Sequence, residues 1–183
     1  MVVRETLKNA AGLIAFSLGA ENLIHERMPE DFPRVTTRGH FDLDYEDQPF
    51  ENPKATDFLP LSLIGEVKRT RLNPGHDELD YGTRGEIPGF TSGCDESPDE
   101  IVVFVHGWLA DEKGSLGRFS LMRHSLRKAG YEGPVIGFSW DTDHRSYNWK
   151  LGIEVAARNG PKLAQFVHDY RRKNPDTDVR LIS

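Results

Sequence analysis

Five residues, IVVFV at 101–105, restrict this chain more than any other stretch in it. Each is β-branched or aromatic and no polar residue alternates with them, the pattern of a strand buried on both faces. Such a strand needs a covering layer on each side, and the residues that follow can build both. SLGRFSLMRHSLRKAG places Leu116, Phe119, Met122, Leu126 and Ala129 three and four apart, a helix stripe, with Ser115 suited to cap its start and Gly130 to end it. GPVIGFSW reads as a second buried strand. LAQFVHDYRRK then sets Leu163, Phe166, Val167 and Tyr170 on one helix face. Pro161 fits the first turn of that helix, or a kink if the helix starts near Leu151. After the turn NPDTD, the run DVRLIS has the look of a third buried strand.

Strand, helix, strand, helix, strand in this order implies parallel strands joined by right-handed crossovers. Ligands of such sheets bind beyond the carboxyl ends of the strands. The loops after Val105, Trp140 and Ser183 are therefore expected on one edge, where chemistry would sit.

The rest of the chain is less regular. Residues 1–25 open with MVVRETLKNAAGLIAFSLGAEN, which has the charged start, apolar middle and small residues of a signal peptide but equally suits an amphipathic helix. VRETLK resembles a twin-arginine export signal with Val3 where the first arginine belongs, so the location stays open between the cytoplasm and export by a degenerate signal. Residues 26–99 are rich in Pro, Gly and acids, with RGHFDLDY (38–45) and LIGEVKRTRL (63–72) as candidate edge strands. Residues 100–183 form the regular α/β part. The 183 residues suffice for one ordinary core. Residues 1–100 hold 10 Lys and Arg against 20 Asp and Glu, and residues 101–183 hold 13 against 9. The second half's basic residues are scattered rather than gathered among aromatics, which argues against a nucleic-acid surface. The lone cysteine, Cys94, has no partner for an internal disulfide and sits in a polar stretch, as a bystander thiol would.

The trio His106, Gly107, Trp108 leaves the first buried strand and carries the chief candidate chemistry. Gly107, lacking Cβ and tolerant of positive φ, allows a sharp turn that aims the Trp108 backbone N–H into the cleft, where it can stabilise an oxyanion. A plain strand-end turn is the bland alternative. His106, directly at the strand end, suits a structural role in the turn better than a general base. Leu109, Trp140 and Asp141 flank the same edge as candidate substrate-pocket residues. The aromatics Trp108, Trp140, Tyr147 and Trp149 either line an apolar pocket or pack the loops together. Ser139 in GFSWD lacks the second glycine that a G-x-S-x-G nucleophile turn requires. The cluster DTDH, Asp141 to His144, reads as a polar rim rather than a metal site, and no metal or other cofactor is expected.

Taken in order, VVFVHGW, a helix, VIGFSWDTD, a helix with an Asn-Gly step, and VRLIS resemble the front half of an α/β-hydrolase, nearest the lipase and esterase branch. The resemblance covers about residues 100–183. It implies a partial α/β-hydrolase fold: a mostly parallel sheet with flanking helices, cut after the strand that precedes the nucleophile elbow. Ser183 would be the first elbow position, with the nucleophile, acid and histidine beyond it. A complete relative would hydrolyse small ester substrates by acyl transfer, and this chain alone would be inactive. The cut would expose a sheet edge, leaving the chain marginally stable and prone to self-association. A non-catalytic interaction module built on half a hydrolase fold is the rival reading.

Overall fold

The computed structural model describes residues 30–43, 70–91, 97–108, 110–142 and 149–183. Residues 1–25, read as signal-like or amphipathic, Cys94, Leu109, Asp143, His144 and Tyr147 lie outside them, as do parts of both candidate edge strands. Among the described residues no helix is long and apolar enough to cross a membrane.

In chain order the elements are β1 (Arg34–Thr36), β2 (Phe41–Asp42), β3 (Arg71–Leu72), β4 (Gly82–Arg84), β5 (Glu100–Val105), α1 (Glu112–Lys128), β6 (Val135–Ser139), α2 (Trp149–Lys173) and β7 (Asp178–Ile182). Five strands form one sheet in the order β4-β1-β6-β5-β7. β1, β6, β5 and β7 run parallel and β4 is antiparallel to β1. The candidate edge strands meet as a small second sheet, Phe41 opposite Leu72 and Asp42 opposite Arg71.

β5 is central, and alternate residues face opposite layers. Val102 and Phe104 pack with Leu116 and Phe119 of α1. Ile101 and Val103 pack with Val155, Phe166 and Tyr170 of α2. Chain travel explains this division. From β5 through α1 the chain steps one way to β6, and from β6 through α2 it steps back past β5 to β7. With the same hand at both crossovers, the helices must fall on opposite faces. Gly137 in the middle of β6 lets α1 approach, because a Cβ there would run into the Phe119 ring.

Two details depart from the sequence expectation, the cap of α1 and the burial of β7. Asp111 caps α1, its Oδ1 accepting from Gly114 N at 2.6 Å, while Ser115 sits inside the helix. An aspartate just ahead of the first turn outcompetes a serine already within it. Gly130 does end α1, at φ 88°, with Tyr131 N donating to Leu126 O and Gly130 N to Arg127 O. Of the two placements open for Pro161 the interior one holds, because α2 begins at Trp149. β7 is not buried: Asp178, Arg180 and Leu181 are exposed, since β5 is its only sheet neighbour among the described residues.

Candidate functional site

The parallel pairing of β5 with β7 (Val103 opposite Leu181, Phe104 opposite Ile182) and with β6 brings three carboxyl ends to one edge. β5 feeds the helix on one face and β6 feeds the helix on the other. Loops that part in this way open a crevice at the strand ends.

His106 stands at that crevice with its side chain buried. Its Nδ1 lies 2.8 Å from Gly107 O, and its Nε2 accepts the Trp140 backbone N–H at 3.2 Å. Trp140 replies with its indole N–H to His106 O at 3.0 Å, and the two rings lie nearly parallel. This pattern needs a neutral ring with the proton on Nδ1. Burial lowers the His106 pKa to about 4, with the positive Arg38 and Arg118 acting in the same direction. Neither ring nitrogen is left for taking a proton from a nucleophile.

The turn is also gripped from α1. Arg118 NH1 donates to Gly107 O at 3.1 Å and to Trp108 O at 3.0 Å. In a trans peptide the N–H points opposite to the preceding C=O, and no cis bond occurs among the described residues. With Gly107 O turned toward Arg118, the Trp108 N–H of the same plane points away from that guanidinium. The glycine's special freedom is not what makes this turn. Gly107 is not at positive φ, and a Cβ there would meet Arg118 only at an ordinary 3.6 Å. The arginine holds the turn instead.

A second arginine fastens three loops together. Arg38, after β1, donates to Ser139 Oγ at 2.7 Å and to Ala110 O at 2.8 Å, and lies 3.7 Å from Asp141. Asp141 Oδ2 also accepts Gly39 N at 2.8 Å, while Thr142 Oγ1 bonds both N and O of Ala110 at 2.9 Å. Ser139 is fully buried, and its hydroxyl contacts Arg38 and Ser115 Oγ. Trp140 is 8% exposed and Asp141 8%, so both are engaged mainly by protein groups.

Residues 92–183 match a family described as alpha/beta hydrolase of unknown function (DUF900). The chain belongs to this family. Comparison with curated proteins and with solved structures finds no match.

In this α/β-hydrolase, His106, Gly107, Trp108, Trp140 and Asp141 do come together at one sheet edge. Arg38 and Arg118 were not apparent as site residues in the sequence. Arg38 reaches Ser139 across 101 positions, and no local pattern announces such a contact. For Arg118 a faint signal existed, a charge one residue before the buried Phe119 in the first half of the helix after the HGW loop.

Proposed function

We propose that these residues supply the oxyanion-loop side of a serine hydrolase that cleaves small esters by acyl transfer. The observation that supports it best is the placement of the His106–Trp108 turn at the carboxyl end of β5, beside the parallel β7. In this reading Trp108 N–H donates to the developing oxyanion. Arg118 and His106 fix the peptide plane that aims it, and Trp140 and Asp141 border the acyl pocket. The nucleophile enters from the edge toward which β7 runs. Residues 1–183 by themselves contain no serine in a G-x-S-x-G turn, and alone they are expected to have no serine-hydrolase turnover.

The test compares the 183-residue chain with the product of the longest reading frame that contains it, using p-nitrophenyl esters. The longer product should hydrolyse them and the shorter one should not. Trp108→Pro, which deletes the N–H, should lower kcat about 10²–10³-fold more than Trp108→Ala, which keeps it. Turnover by the 183-residue chain that disappears in Ser139→Ala would overturn the reading, as would equal effects of the two Trp108 variants.

A second reading, an interaction module, is favoured by the outer face of β7. Leu181 is 57% exposed and borders a hollow of about 630 Å³ with Leu163, Val167 and Arg171 of α2. Self-association through this edge predicts concentration-dependent sedimentation that Leu181→Lys abolishes. A monomer at every concentration would remove it.

A further inference from the structure

Beside the same sheet edge, but apart from the HGW turn, three potential metal ligands face one another: His40 from the β1–β2 turn, and His76 and Asp80 from the loop after β3. One donor atom of each lies within 4.8 Å of the others. His76 Nδ1 is 2.8 Å from Asp80 Oδ2, and His40 Nδ1 is 3.3 Å from Asp80 Oδ1. The two imidazoles stack with centroids 3.8 Å apart.

His40 is the anomaly. Its side chain is 6% exposed, and its Nδ1 is buried with no hydrogen-bond partner. The atom lies near the carboxylate but lacks the alignment of a hydrogen bond. A buried ring nitrogen without a partner is costly, and native structures rarely leave one so without reason.

The geometry points to a binding site for a divalent zinc-like ion, ligated by His40, His76 and Asp80. Two imidazole nitrogens and one carboxylate oxygen are the donor set such ions take, whereas calcium and magnesium demand oxygen. Around an ion with bonds of about 2.0–2.1 Å, neighbouring tetrahedral ligands lie roughly 3.3 Å apart. His76 Nδ1 and Asp80 Oδ2, now 2.8 Å apart, need to open by a few tenths of an ångström, and the stacked rings must tilt so that both nitrogens aim at the ion, the His40 donor already lying within 4.8 Å of the other two. His76 passes its proton from Nδ1 to Nε2, and the buried His40 Nδ1 gains its missing partner.

Lys162 of α2 supports the carboxylate and does not block it. Its fully buried ammonium donates to Asp80 Oδ1 at 2.6 Å, to Asp80 O at 3.2 Å and to Asp77 O. Ligating carboxylates are commonly held by such outer donors, and Oδ2 stays available. His76 and the Asp80 carboxylate are each about one-third exposed, which leaves a fourth position for water. The ion would tie the β1–β2 turn to the 73–80 loop and, through Lys162, to α2.

The test titrates the metal-free full chain with Zn²⁺. Saturable binding of one equivalent is expected. Tm should rise about 5–10 °C at zinc roughly 100-fold above its dissociation constant, and the same excess of Ca²⁺ should leave Tm unchanged. His76→Gln should abolish the binding and the exposed His168→Gln should retain it. Should His76→Gln fail to fold, Co²⁺ added to the unaltered chain decides. It should broaden the imidazole proton resonances of His40 and His76 and spare those of His106. Absence of saturable binding, binding that survives His76→Gln, an equal Tm rise with Ca²⁺, or broadening confined to other histidines would each overturn the proposal.

Discussion

His106 and His40 are both buried imidazoles near the carboxyl edge of one sheet, and burial is the leading cause of a lowered pKa in each. They differ in what meets the ring. His106 has a partner for each nitrogen, Gly107 O and Trp140 N–H, and returns a carbonyl to the Trp140 indole. His40 has a stacked histidine, a poorly aligned carboxylate and an Nδ1 with no hydrogen bond. A fully paired buried ring is part of the framework and cannot be removed without disrupting its neighbours. An incompletely paired one contributes less to folding and is the better candidate for a ligand. Equal burial therefore does not imply an equal role.

The widest gap between the two should appear on truncation. His106→Ala deletes the acceptor of a buried N–H and opens a hole beneath Trp140, which should cost about 3–5 kcal/mol. His40→Ala removes a ring whose Nδ1 has no partner, and about 1 kcal/mol is expected. Urea unfolding of both variants measures the difference. Equal losses would break the comparison, and so would a larger loss at His40.

Acid should separate them next. Unfolded histidine titrates near 6.5 and folded His106 near 4. Between these values the unfolded chain binds a proton that the folded chain refuses, so stability falls as the pH drops through that window. The loss approaches about 3 kcal/mol once the pH is below 4. Asp80, where burial would raise the pKa, is instead brought down to about 2 by its bonds to Lys162 and His76. Its contribution is present above the ordinary carboxylate value of 3.8 and goes only as the pH falls toward 2, below the histidine window. Thermal midpoints measured from pH 7 to 4 should fall steeply in the native chain and less steeply in His106→Gln, which keeps a donor and an acceptor. His40→Gln should flatten the curve less. Parallel curves for all three would show that His106 titrates normally.

What the residues revealed in advance follows the same division between local and long-range causes. β5 and β6 could be read because five or six neighbouring apolar residues announce a doubly covered strand. The α1 and α2 stripes could be read because their period is that of a helix. β1 and β4 could not. They are three residues each, too short to show alternation, and they exist because β6 offers an edge to pair with. DVRLIS misled for the opposite reason, since strand propensity says nothing about which neighbours arrive to cover a strand. At the site, the HGW turn was visible as a motif, but the reason it holds was not. The glycine drew attention, while the fastening comes from Arg118, eleven positions from Gly107 and on another element.

That fastening supplies the smallest prediction and the finest probe of His106. Arg118 is only partly buried, so Arg118→Met, which keeps the apolar stem and removes the guanidinium, should cost about 1–2 kcal/mol for its charged hydrogen bonds. The variant also withdraws a positive charge that helps hold the His106 pKa down. The acid transition of His106 should then move up from about 4 while staying below 6.5, because burial, the larger cause, is unchanged. Ring-proton NMR followed across pH reports this directly for the one histidine. If the titration does not move and backbone amides at 107–110 exchange no faster, Arg118 is an ornament of the turn. The orientation of the Trp108 peptide must then rest on His106 and Trp140 alone.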